Sequence, residues 1–143
     1  MRNLLVLIVL SIPAAAGDLR LENDSFQTLA YIREDGRIED ASFHTLGYIR
    51  DDGRVEDDTF HLLGYLRDGR AEGDSFQTLY YLEDDGRLTD DSFSCVARIS
   101  DDGTVEDDEF DVILYVDGSD DTQTESIAAY LIFFSDLLTG EDD

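Results

Sequence analysis

The chain has 143 residues, enough for one domain with its own core, and a formal net charge of −25 set by 35 acidic residues against ten basic ones. That balance argues against nucleic acid, whose phosphates need a basic footprint, and against anionic membrane surfaces. All ten basic residues are arginine. A lysine-free acidic surface suits a protein working in high salt, where repulsion is screened within about 3 Å at 1 M; a GC-rich genome favouring arginine codons is the alternative.

The first element is a leader. "MRNLLVLIVLSIPAAAG" places Arg2 before an apolar run from Leu4 to Ile12 and small residues at Ala14 and Ala16. This is the layout of a secretory signal peptide over residues 1–16, with a mature start near Gly17 and a mature charge of −26 once Arg2 is removed from −25. The apolar run is shorter than the roughly 20 residues that span a bilayer, so no membrane span is expected after cleavage. The expected location is the periplasm, the cell surface or the exterior.

Residues 17–121 then repeat one phrase. Cut after each turn glycine, it reads "RLENDSFQTLAYIREDG", "RIEDASFHTLGYIRDDG", "RVEDDTFHLLGYLRDG", "RAEGDSFQTLYYLEDDG", "RLTDDSFSCVARISDDG" and the shorter "TVEDDEFDVILYVDG". Phe26, Phe43, Phe60, Phe76, Phe93 and Phe110 mark one site at 17-residue spacing, with one copy cut to 16. Asp-Gly after a β-rich run predicts a tight hairpin turn, because glycine reaches positive φ without steric cost. Each unit is therefore a strand such as "TLGYIR", a turn, and a shorter strand such as "RVED". On the longer strand Leu46 and Tyr48 share one face and Gly47 and Ile49 the other, so both faces carry apolar groups. Val55 and Phe60 are expected to add to the inward face.

Stacked as a β-solenoid, identical residues would lie about 4.8 Å apart, and columns of aspartate would repel by roughly 0.9 kcal/mol per pair even in water. A meander of hairpins separates them by about 9.5 Å and interleaves Arg with Asp, so the hairpin array is the favoured reading.

Residues 122–138 predict a helix. Thr122 and Glu125 form a T-x-x-E capping box, Gly140 supplies a stop, and residues from Ile127 to Phe134 are apolar in every direction. A helix apolar all round must be buried. The expected architecture is mainly β: tandem hairpins arranged radially, as a closed ring or barrel, around a buried C-terminal helix, with residues 139–143 as an acidic tail. The chain opens on the second strand of a unit and its repeats end on a first strand, so the two halves could pair and remove exposed edges.

The tandem "GYIRDDGRVEDDTF" phrase followed by the Ala- and Phe-rich "IAAYLIFF" helix resembles the 5-fold beta-flower proteins of Bacteroidota, over Arg20 to Leu138. The resemblance implies radial hairpins; it implies no catalytic chemistry and no ligand. The hairpin count reads as five or six.

Chemistry is sparse. His44 and His61 occupy a slot that other copies fill with Gln27, Gln77, Ser94 and Asp111, which marks an exposed polar position. Cys95, the one cysteine, stands where other copies carry Thr or Leu and reads as a small strand residue; an internal disulfide is excluded. Asp51, Asp52, Glu56, Asp57 and Asp58 are weak candidates for a calcium site, without EF-hand or nonapeptide spacing. No enzyme activity and no cofactor are expected. The function expected is a non-catalytic structural or interaction module with a protein or glycan partner, its oligomeric state left open; the alternative is a calcium-responsive structural protein.

Overall fold

A computed structural model describes residues 18–118 and 124–138. The leader, Thr122, Gly140 and the acidic tail lie outside the described residues. Among those described, twelve strands form a continuous antiparallel meander: β1 (Leu19–Glu22), β2 (Thr28–Ile32), β3 (Arg37–Asp40), β4 (Thr45–Ile49), β5 (Arg54–Asp57), β6 (Leu62–Arg67), β7 (Arg70–Gly73), β8 (Thr78–Leu82), β9 (Arg87–Asp90), β10 (Cys95–Ile99), β11 (Thr104–Asp107) and β12 (Val112–Asp117). β1 pairs with β12 through Arg20↔Asp117, Leu21↔Val116 and Glu22↔Tyr115, which closes the barrel. The ring therefore holds six hairpins: five continuous ones, and a sixth assembled from the two ends of the repeat region.

Helix α1 (Thr124–Phe133) fills the barrel. Ile127, Ala128, Ala129, Tyr130 and Leu131 are consecutive and all buried, which a helix packed on one side only could not achieve. Its first turn faces the glycine turns beside Gly36, Gly53 and Gly86, while Tyr130, Phe133 and Phe134 reach Leu29 and Leu46 at the opposite mouth. The last turn is closed by Ser135, whose Oγ donates to the Leu131 carbonyl at 2.9 Å.

The dimensions explain the residues. Twelve strands about 4.8 Å apart make a ring about 18 Å across before tilt, and a helix with its side chains takes about 10–12 Å. Little depth remains for strand side chains, and Ala30, Gly47, Gly64, Ala71 and Ala97 line the lumen. A Cβ on Gly47 would lie 2.5 Å from the Phe134 ring, and one on Gly64 would lie 2.7 Å from the Phe133 ring. Larger residues (Leu19, Ile38, Val55, Leu88, Val105, Leu114) fill the remaining inner wall. Ten helical residues at 1.5 Å give about 15 Å, close to a five-residue strand, so plug and wall match in length.

The inward face differs from simple alternation in two respects. Each longer strand carries one extra residue against its preceding neighbour: Ile38 faces Gly47 and Glu39 faces Thr45, leaving Leu46 as a bulge. The same shift recurs at Leu29, Leu63, Leu79, Val96 and Ile113, and it brings Leu29, Leu46, Leu63, Val96 and Ile113, all partly buried, against the core. Val55 does turn inward, but Phe60 does not; it stands on the outside with its ring 61% exposed, because its turn projects it away from the lumen.

Candidate functional site

With the lumen occupied, the surfaces left for chemistry are the two rims and the outer wall. At the glycine rim, Arg33 N–H donates to the Arg37 carbonyl (2.8 Å) and Gly36 N–H to the Arg33 carbonyl (2.9 Å), leaving Glu34, Asp35 and Gly36 as the loop. Gly36 takes a φ of 92°. The shortened copy resolves the 16-residue spacing: Asp68 and Gly69 both take positive φ, so this loop is a two-residue turn of the primed type. The Gly36 carbonyl then accepts Ile49 N–H at 2.8 Å, pinning one hairpin to the next, and Gly53, Gly69, Gly86 and Gly103 repeat the bond.

The opposite rim uses the same frame with phenylalanine in the glycine position. Asp40 N–H donates to the His44 carbonyl (2.9 Å) and Phe43 N–H to the Asp40 carbonyl (3.0 Å). All six turn phenylalanines adopt φ of 63° to 72°, a region bulky residues avoid. Each rests on the strand residue of the preceding hairpin: Tyr31–Phe43 at 5.2 Å, Tyr48–Phe60 at 5.1 Å, Tyr65–Phe76 at 5.2 Å and Tyr81–Phe93 at 5.0 Å. Phe26 stacks on Tyr115 at 4.8 Å across the closing seam. In the fifth copy Arg98 replaces the tyrosine and lies 4.5 Å over Phe110. These six rings remain 59–68% exposed.

Beneath the stacks, the outer wall carries buried carboxylates clamped by arginines. Glu39 meets Arg33 at 2.8 Å and Arg37 at 2.9 Å, Glu56 meets Arg50 at 2.8 Å and Arg54 at 3.4 Å, and Glu72 meets Arg70 at 2.9 Å. Arg33, Arg50 and Arg67 also lie over Tyr31, Tyr48 and Tyr65. The fourth hairpin breaks the pattern, with Glu83 in the first arginine's place and Thr89 in the glutamate's. Among the described residues, Thr89 Oγ1 and Arg98 Nη1 are buried without a hydrogen-bond partner.

The sequence candidates for calcium are not brought together. Asp51 and Asp52 sit on the glycine rim, Asp57 and Asp58 on the phenylalanine rim, and Glu56 on the wall between Arg50 and Arg54. A four-residue strand, about 13 Å, separates the two pairs. Asp57 Oδ1 accepts the N–H groups of Thr59 (2.8 Å) and His61 (2.9 Å), and Asp40, Asp90 and Asp107 do the same in their own turns. Asp52 accepts Arg54 N–H at 3.1 Å. Backbone donation holds four of the rim aspartates below the usual carboxylate range: from His44 first for Asp40, His61 for Asp57, Arg54 for Asp52 and Arg87 for Asp85. Among the described residues no group of three His, Cys, Asp or Glu side chains is arranged to hold a metal ion. His44 and His61 are exposed beside Asp40 and Asp57, and Cys95 is a half-buried strand thiol donating to the Ala97 carbonyl at 3.5 Å.

Missing from the sequence reading was the exposed aromatic rim. Its signal was present: "NDSFQ" aligns with "REDGR" when both are read as turns, which places Phe26 where Gly36 stands.

A closed barrel of tandem hairpins around a helical plug is thus the class the fold defines. The chain belongs to the 5-fold beta-flower protein family, whose model matches residues 18–135. No curated protein and no solved structure matches it. Against the fivefold family description, this barrel closes with six hairpins.

Proposed function

We propose that this beta-flower protein is an exported, non-catalytic interaction module of the cell envelope or exterior that presents its turns to a partner. Export is motivated by the charged, apolar and small-residue order of residues 1–16. The observation that carries the interaction role is the rim of six exposed phenylalanines held on a closed scaffold; turns on a stiff support are the usual place for recognition. Two measurements test it. N-terminal sequencing of the protein recovered from its native host should begin near Gly17; an intact Met1 removes the export claim. Cross-linking at a rim position on intact cells should trap a defined partner, and recovery of the free chain alone counts against the module.

The calcium-responsive alternative rests on turn carboxylates that already accept backbone N–H groups. Millimolar calcium would have to raise the melting temperature for it to stand. Raising salt to molar levels should itself stabilise the chain by screening its charge; a flat response overturns the saline reading.

A further inference from the structure

We propose that the phenylalanine rim docks a cationic segment of a partner protein, with arginine or lysine side chains laid on the outer faces of successive rings. This rests on the interaction-module reading and adds the partner's chemistry.

The conformation points outward from the fold's own needs. A bulky residue in the left-handed region carries a steric cost that an aromatic stack at best roughly offsets. The same loop on the other rim is built with glycine, which meets no such cost. Phenylalanine is thus no better than glycine for closing the turn, yet it stands at all six described turns of this rim and stays well over half exposed, even where Arg33 and Arg50 lie 6.0 and 5.8 Å from the Phe43 and Phe60 rings. Strained residues of this kind cluster at ligand clamps and other binding positions.

Charge selects the occupant. Exposed acids (Asp24, Asp58, Asp74, Asp91, Asp108, Glu109) lie beside the rings, in a chain of net charge −25. That field repels a second copy and draws in polycations. The ring's π face is itself electron-rich and attracts cations. Arg98 on Phe110 shows a guanidinium already seated on one of these rings, at 4.5 Å. Successive phenylalanines are two strands apart, roughly 9.5 Å at the barrel wall and more where the rings stand outside it, so an extended or polyproline segment needs about three residues or more from ring to ring. The geometry therefore favours cationic residues spaced by at least three over clustered ones.

The test is a titration of the full chain with a peptide of tandem Arg-Pro-Pro units, at roughly 0.3 M salt to suppress diffuse attraction. An isomeric peptide with its arginines clustered is the comparison. The triple variant Phe43→Gly, Phe60→Gly, Phe76→Gly keeps the net charge and installs the residue that this turn frame already uses, so its melting temperature should stay near that of the parent. It should bind the spaced peptide roughly tenfold or more weakly. Asp58→Asn, Asp74→Asn, Asp91→Asn keeps the rings and should weaken binding while flattening its salt dependence. Equal affinity of parent and glycine variant overturns the proposal, since charge alone then explains binding; so does equal affinity for the two peptides. Phenylalanine-dependent binding to neutral phosphatidylcholine vesicles, with no peptide binding, also overturns it. A rim cross-link to a partner without cationic segments overturns the partner chemistry and leaves the interaction module standing.

Discussion

At one mouth of the barrel Gly36 takes a φ of 92°; at the other Phe43 takes 71° inside the same pair of backbone bonds. What separates them is the neighbour. A Cβ on Gly36 would run into the Ile49 carbonyl oxygen of the adjoining hairpin, and one on Gly86 into that of Ile99. At the far mouth the side chain leaves toward solvent and finds a tyrosine face. A left-handed turn position is therefore governed by two separate demands, backbone torsion and the space above Cα, and glycine is obligatory only where both apply.

The largest effect should come from removing what both mouths share. Leu131→Ala deletes a buried plug side chain and should cost about 2–5 kcal/mol in chemical denaturation, with both ends loosening together in amide exchange. Next, Gly36→Ala should cost more than about 2 kcal/mol, combining torsional strain with backbone collision, whereas Gly69→Ala should cost only about 1, since its nearest neighbour, the Leu82 carbonyl, is 3.1 Å away. Equal losses would show that torsion alone decides. A smaller contrast tests the phenylalanine mouth: Phe43→Ala loses the stack and keeps the strain, while Phe43→Gly loses both, so the glycine variant should be the more stable by about 1 kcal/mol.

The smallest effect concerns acid. Asp57 has its folded pKa below the unfolded value, so its stabilising contribution is complete above the unfolded pKa of about 3.9 and disappears as pH falls through the folded one. Asp57→Asn keeps an oxygen acceptor for the turn but cannot titrate. Its melting temperature should fall less steeply than the parent's on the acid side, and identical slopes would remove the turn carboxylate from the account.

Much of this was legible because the repeat states its own periodicity. The Asp-Gly turns, the strand beside each and the all-round apolar helix follow from local rules, and closure followed from the half-units at the two ends. Two features were not legible, for physical reasons. Strict alternation assigns Leu46 to the face of Tyr48, but the bulge inserts one residue and returns Leu46 to the core. Phe60 reads as core by hydrophobicity, while its place in a left-handed turn sends it outside. The acids looked like ligands because they cluster in sequence. In space, one strand length divides them, and many already receive backbone N–H groups.

The seam between β1 and β12 joins residues 97 positions apart along the chain, as in the 2.8 Å bond from Arg20 to Asp117. The whole repeat region must therefore be made before the first strand meets its second neighbour. Until then two raw flanks of unpaired peptide groups stay open to any passing strand. A product cut short within the repeats would be a sticky crescent, so the last strand protects the first as much as it completes the wall.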